Sequence, residues 1–382
     1  MKNITYELIV IGGGISSCTF VSKLLAKGFN GKIAIIEIGR NLGGRCSSRI
    51  SKKNSGCILN HGSPNFNIIN NSNDLKLNNF VSELLEKGII KKDNPLLIEL
   101  DKNSNCSIDI TNQFCQGNIY SSSSYMGDLA YQILNLNNKS KEVDLYFQEL
   151  INDLAFHNNK WALKSKNGNI YYTKFLVISS NLLLHKRSKK ILNVDEIPLA
   201  KAIKNNIKID EIIQTLKYQG YIERENFLIY ARKEYQFKQI VKKDNLIYYL
   251  DKNAQSIYGF ERVVFQKQKN KKYGIVLHSI KENNLINEVK KDNFEKDILH
   301  RFNKLFEENQ VINTLDNYED ISIMRWRASQ PTGLGVPLRL QICQEHNIAF
   351  CGDWFNTQGF GRVEGAILSA LNLSEHIVNL FR

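Results

Sequence analysis

The chain has 382 residues and 51 Lys plus Arg against 38 Asp plus Glu, a formal charge of +13. That length exceeds one typical domain, so a cofactor domain with a second domain is expected. The positive charge raises nucleic-acid binding, but the lysines are dispersed through Asn- and Ile-rich text rather than gathered in an aromatic-laced stripe, which argues against that partner. The densest runs, Lys186-Arg187-Ser188-Lys189-Lys190 and Lys267 to Lys272, read as solvated loops. No apolar stretch approaches the roughly 20 residues of a membrane span. Leu8 to Ile11 is too short and too glycine-terminated for a signal peptide, so a cytoplasmic protein is expected. Seven cysteines without a CxxC pair give neither a disulfide framework nor metal-ligand spacing.

In chain order, Tyr6 to Ile11 is a short apolar run ending in glycines, Ser16 to Lys27 reads as a helix with Phe20, Leu24 and Leu25 on one face, and Lys32 to Ile38 is a second apolar run. Strand, glycine turn, helix and strand within about 30 residues make a βαβ unit of the dinucleotide-binding kind. Residues 71–120 are polar and weakly patterned, with a helix over Asn78 to Lys87. Gly127 to Leu136 reads as helix, while Val143 to Leu150, Lys160 to Lys164 and Phe175 to Ser179 read as strands. Beyond 190 come strand-like runs at Phe227 to Tyr230 and Leu246 to Tyr249 and a helix over Phe294 to Glu308. A buried strand at Ile348 to Cys351, a glycine-rich loop and an amphipathic helix from Glu364 to Leu380 close the chain.

Gly12-Gly13-Gly14-Ile15-Ser16-Ser17 fits a GxGxxG turn with a small residue in the final place. Gly12 permits the tight turn, Gly14 lets the backbone reach a pyrophosphate, and unpaired N–H groups at Ile15 and Ser16 face the anion. Glu37, about 20 residues on, can accept both ribose hydroxyls and would repel a 2′-phosphate. In Gly43-Gly44-Arg45 the glycines let the backbone lie close to a ligand, and Arg45 can counter pyrophosphate charge. Asp353, at a strand end, can bond a ribityl hydroxyl or act as a cap. Gly361 and Gly365 flank a helix start whose N–H groups, near Arg362, Val363 and Glu364, can face a developing negative charge.

Glu37 followed by Gly43-Gly44-Arg45 resembles the FAD signature of the flavin-containing amine oxidase superfamily. Asn60-His61-Gly62-Ser63-Pro64-Asn65-Phe66 resembles the loop beside the isoalloxazine in renalase-like members, with Asn60, Pro64 and Asn65 departing. Met324-Arg325-Trp326-Arg327-Ala328-Ser329-Gln330-Pro331 resembles the Arg-Trp segment before the last cofactor strand, and Cys351-Gly352-Asp353-Trp354 the Gly-Asp element at the phosphate and ribityl chain. The resemblance implies an α/β fold: a Rossmann-like FAD-binding domain of a GR2-type flavoprotein, residues 1–70, 121–185 and 319–382, with an inserted α+β substrate domain, 71–120 and 186–318. It implies non-covalent FAD held by Gly12, Gly14, Ile15, Ser16, Glu37, Gly44, Arg45, His61, Gly62, Gly352, Asp353, Arg362 and Val363, with Leu150 or Ile151 at the adenine. His61, Arg325, Trp326 and Trp354 are the candidates for positioning substrate or tuning the flavin; a structural role fits His61 equally well, and a core role fits the tryptophans. The implied activity is oxidation of a small reduced substrate, such as a dihydronicotinamide isomer, by hydride transfer to flavin N5 with oxygen or another acceptor. An amine oxidase, a polyene desaturase-like enzyme and a non-catalytic flavin-binding protein stay as alternatives. No metal is implied, and the sequence sets no oligomeric state.

Overall fold

A computed structural model describes residues 5–53, 56–69, 74–103, 106–107, 112–231, 245–268, 273–279, 291–307, 318–377 and 380. Two large sheets organise the chain. The first has the order Val143–Tyr146, Ile33–Ile36, Thr5–Ile11, Ile170–Ile178, Lys160–Ser165, Ile151–His157, and Ile348–Phe350 also pairs with Ile170–Ile178. The first four of these strands and Ile348–Phe350 run parallel, while Lys160–Ser165 and Ile151–His157 add an antiparallel edge. Parallel strands must be covered on both faces, and alternation in Thr5–Ile11 does this: Leu8 and Val10 enter one core, Ile9 and Ile11 the other.

The first core takes the helices Ile15–Ala26, Leu75–Glu86, Leu129–Leu134 and Val363–Ile377. Leu75–Glu86 forms because Asp74 caps it, accepting from the N–H groups of Lys76 and Leu77, and because Leu77, Phe80, Val81 and Leu84 recur at helical spacing on one buried face. That face joins the core around the Ile15–Ala26 helix, and Lys23 pairs with Glu83 at 2.5 Å. The opposite core takes Ile209, Ile212 and Leu216 from the helix Ile207–Tyr218, which Asn206 caps.

The second sheet has the order Tyr318–Thr332, Gly220–Ala231, Tyr273–Ser279, Phe260–Lys267, Asn245–Leu250, Leu96–Leu100, Cys106–Ser107. One face packs on Ile298, Phe302, Leu305 and Phe306 of the helix Lys291–Glu307, the other on Cys57 and Leu59. Among the described residues no helix is long and apolar enough to cross a membrane.

Most expected elements are present with shifted ends. The expected strand Val143 to Leu150 stops at Tyr146, and Gln148, at φ 58, turns the chain instead. Glu308, the end of the Glu364 to Leu380 helix at 378–379, and Lys267 to Lys272 beyond residue 268 lie outside the described residues. The run 186–190 is not a solvated loop: Arg187–Leu192 is helical, Ser188 is buried and Arg187 turns inward. The Leu75–Glu86 and Ile207–Tyr218 helices, expected in the substrate domain, cover the first sheet, whereas Tyr318–Thr332, expected in the cofactor domain from residue 319 on, is an edge of the second.

Phe80→Ala should cost about 3–5 kcal/mol, since a buried ring leaves a cavity, whereas Asp74→Ala should cost about 1 kcal/mol through the lost cap. Urea unfolding of both variants checks this ranking.

Candidate dinucleotide cradle and facing pocket

The site is built where the first parallel strands end. The Ile15–Ala26 helix has Gly14 as N-cap with no side-chain cap, so its first N–H groups are left for a ligand. A Cβ on Gly14 would meet nothing within 4 Å, so this glycine borders open space. Gly13 is different: a Cβ there would stand 2.7 Å from a Leu42 methyl and 3.2 Å from Glu37. The Gly13 N–H donates to Glu37 Oε2 at 2.6 Å and the Gly39 N–H to Oε1 at 2.6 Å. Burial raises the pKa of Glu37, against the lowering effect of those two N–H groups. Each carboxylate oxygen keeps acceptor capacity for a hydroxyl.

The two glycine loops are one structure. The Gly43 N–H donates to Gly13 O at 2.8 Å, Gly43 has φ +126°, and a Cβ on Gly44 would lie 3.4 Å from Gly14 Cα. Ser17, in the last motif place, donates its hydroxyl to Gly12 O, and Ile15 is buried. Ser16 Oγ lies 3.5 Å from Ser369 Oγ on the C-terminal helix, and Ser369 Oγ accepts from the Gly352 N–H at 2.9 Å. Arg45 and Asp353, which the sequence places separately, bind each other: Nη1 to Oδ2 at 2.7 Å and Nη2 to Oδ1 at 2.5 Å. Gly14, Ile15, Ser16, Glu37, Gly44, Arg45, Gly352 and Asp353 are thus brought together.

Other expected contacts are placed differently. Arg362 is buried and turned to Glu364, Nη2 to Oε2 at 2.5 Å, and Glu364 also accepts from the Ile69 N–H at 3.2 Å. Val363 packs against the first core. Leu150 is half-buried and Ile151 buried, both against the second core, directly after Glu149, whose N–H donates to Glu37 O at 3.0 Å. Trp354 is also core: its Nε1 donates to Ser179 O at 3.0 Å and its ring lies 4.2 Å from that of Phe355.

Gly62 fixes the facing loop. A Cβ there would stand 2.0 Å from Arg45 O, so only hydrogen fits. The Ser63 N–H donates to Arg45 O at 3.0 Å, and Asn60 exchanges two bonds of 2.9 Å with Gln266 of the second sheet. Those two bonds use the backbone of Asn60; its side chain, the departure from the resembled loop, accepts from the Ser48 hydroxyl at 2.7 Å and the Met126 N–H at 3.1 Å. His61 is buried and stacks on Trp326, with centroids 5.4 Å apart and planes 26° apart. Burial, with the charge of Arg49 second, brings its pKa down to about 4, so its ring is neutral at pH 7. Its Nδ1, Trp326 Nε1 and Asn226 Oδ1 are shielded and have no hydrogen-bond partner in the structure, and Asn226 Nδ2 donates to His61 O at 2.5 Å. Arg325 is not brought to His61. It neighbours Trp326 along a strand and so points to the opposite face, where it is exposed and pairs with Glu225 at 2.8 Å. Sequence reasoning missed Asn226 and Ser369, which only tertiary packing brings here.

Among the described residues, Cys343, Glu345 and His346 offer potential metal-ligand atoms within 4.8 Å of one another. Asn206 occupies this cluster, its Nδ2 donating to Glu345 Oε2 at 2.8 Å.

Residues 10–84 match the NAD(P)-binding Rossmann-like domain family. The N-terminal unit is Rossmann-like. Among curated protein sequences none matches this chain. A structure assigned as a protoporphyrinogen oxidase from Exiguobacterium sp. 255-15 shares 10% identity over 99% of this chain and 100% of that one, at TM-score 0.69. The CLA-producing fatty acid isomerase from P. acnes shares 9% over 99% of each, at 0.64. Tetracycline destructase Tet(51) shares 13% over 100% of this chain and 83% of that one, at 0.54. At such identities the likeness is one of fold, a mixed α/β architecture of several sheets around the Rossmann-like unit.

Gly14→Ala and Gly62→Ala should separate ligand space from packing space. Gly14→Ala should melt close to wild type yet lose nucleotide binding, because its Cβ meets no protein atom. Gly62→Ala should lower the melting temperature, because its Cβ meets Arg45 O. A second expectation concerns pH. His61, His185 and His278 all have depressed pKa values, so the unfolded chain binds protons first, near the ordinary value of 6.5. Stability is therefore full at neutral pH and falls as pH drops from about 6.5 toward 4. Urea midpoints measured across that range should decline, and less steeply in His61→Asn.

Proposed function

We propose that the protein is an FAD-dependent oxidoreductase that oxidises a small reduced substrate held against His61 and Trp326. The observation that carries the reading is the double glycine cradle: an uncapped helix N-terminus bordered by open space at Gly14, locked to Gly43-Gly44, with Glu37 behind the turn. A dinucleotide fits these features, since its diphosphate meets free N–H groups and its ribose hydroxyls meet a carboxylate with spare lone pairs. The Rossmann-like match over 10–84 and the fold shared with an assigned oxidase support a redox role. Gly352 and Asp353 would hold the sugar-chain side. Bound FAD would supply the two-electron acceptor for a hydride from the substrate.

The residues around that acceptor bind and orient. His61, neutral at pH 7, adds no charge to the facing pocket. The unpartnered His61 Nδ1, Trp326 Nε1 and Asn226 Oδ1 supply both donor and acceptor character. A carboxamide, which both donates and accepts, matches that set, and this supports a dihydronicotinamide isomer as substrate. In this reading, residues 1–70, 121–185 and 319–382 form the cofactor domain and 71–120 and 186–318 the substrate domain, except that the Leu75–Glu86 and Ile207–Tyr218 helices pack on the first sheet and Tyr318–Thr332 pairs in the second. The chain works in the cytoplasm.

Purified full-length protein should be yellow, and Glu37→Gln should weaken FAD binding by roughly tenfold, the effect of losing a hydrogen bond to a charged group. Anaerobic mixing with dihydronicotinamide isomers should bleach it. A protein that keeps FAD but is bleached by none of them would exclude this substrate and favour a non-catalytic flavin.

A further inference from the structure

Arg187 takes no part in the chemistry proposed above, yet it is held beside the cradle. Its guanidinium carbon stands 4.0 Å from the centroid of the Tyr221 ring, and Nη2 donates to Asn181 Oδ1 at 2.8 Å. Asn181 is itself fixed, its Nδ2 donating to Gln219 Oε1 at 3.2 Å and to the Tyr221 hydroxyl. The guanidinium plane is thus set by a ring on one face and an amide at one nitrogen. Its remaining donors, Nε and Nη1, are shielded and have no acceptor among the described residues.

Charge counting sharpens the point. Arg187 lies within reach of the charges of Arg45 and Asp353, but both carboxylate oxygens of Asp353 are taken by Arg45. Two guanidinium groups therefore share one carboxylate, leaving one positive charge uncompensated. A shielded cation without a partner is unfavourable, and an oxyanion placed on it removes that cost. Burial pushes the pKa of Arg187 down, and the charge of Arg45 pushes it the same way. A fixed guanidinium with two unpartnered nitrogens suits phosphate or carboxylate better than a neutral group.

We propose that Arg187, set by Tyr221 and Asn181 beside the Arg45–Asp353 pair, is an anion-binding residue whose unpartnered guanidinium donors receive a phosphate or carboxylate group. The anion has two possible sources, the diphosphate of the cofactor and an acid group on the substrate. This inference shares the site of the FAD reading but rests on the protein's own charges.

Isothermal titration of the full-length chain distinguishes the sources, using inorganic pyrophosphate on flavin-free protein and succinate on FAD-loaded protein. Wild type should bind at least one probe, and Arg187→Gln should weaken that binding by roughly tenfold or more, the effect of losing a charge-assisted hydrogen bond. Arg187→Lys, which keeps the charge but not the fork, should fall between them and serves if the glutamine variant does not fold. Sensitivity to pyrophosphate that disappears once FAD is loaded assigns the residue to the cofactor. Sensitivity to succinate in loaded protein assigns it to the substrate. Equal binding by wild type and a folded variant, or no binding of either probe by wild type, overturns the proposal. If the chain takes up no FAD, the functional reading fails by itself, and the pyrophosphate arm still decides the anion site.

Discussion

The bidentate bond between Arg45 and Asp353 joins residues 308 positions apart, and most of the site depends on that junction. Arg45 follows the second glycine loop, so its side chain ties this loop to the C-terminal Gly-Asp turn. Its carbonyl accepts from Ser63 and lies so near Gly62 that no side chain fits there. One residue thus aligns three segments: the two glycine loops, the His61 loop and the Gly352-Asp353 turn. Such a pair is strong because both charges are satisfied by two parallel hydrogen bonds. Removing one partner would leave the other poorly compensated.

That junction is possible because the parallel sheet delivers its parts to one edge. Ile348–Phe350 lies beside Ile170–Ile178, which lies beside Thr5–Ile11, so the segments after residues 11, 178 and 350 all leave in the same direction. Ser179, Ser180, Gly12 and Gly352 therefore cluster without further design: a Cβ on Gly12 would lie 3.4 Å from the Ser180 N, and one on Gly352 would lie 2.9 Å from Ser179 O. This is the crevice at the carboxyl ends of the strands in which open α/β sheets bind ligands.

Local features were legible in the sequence and long-range ones were not. The Gly12 to Gly14 turn, Glu37 and Gly43-Gly44 stand out because backbone conformation and spacing restrict the residues that can serve there. The helical recurrence of Leu77, Phe80, Val81 and Leu84 was readable for the same reason, though the core it joins was not. Arg325 and Trp326 show the limit. An Arg-Trp pair on a strand must split between faces, but the sequence does not say which residue faces the site, since that parity follows from pairing with Gly220–Ala231. Asn226, Arg187 and Tyr221 gave no signal, because their neighbours come from distant segments.

The path of the chain between sheets has a consequence for how the protein is made. Tyr318–Thr332 closes the edge of the second sheet, Ile348–Phe350 then completes the parallel set of the first, and Val363–Ile377 covers it. While a ribosome still holds residues beyond about 318, both sheets lack a strand and Arg45 lacks its acid. Neither sheet is complete until these segments emerge, and until then exposed apolar edges must be kept from pairing elsewhere. The Arg45–Asp353 junction therefore forms late relative to the strands it joins, and nothing that depends on it can guide the early steps of folding.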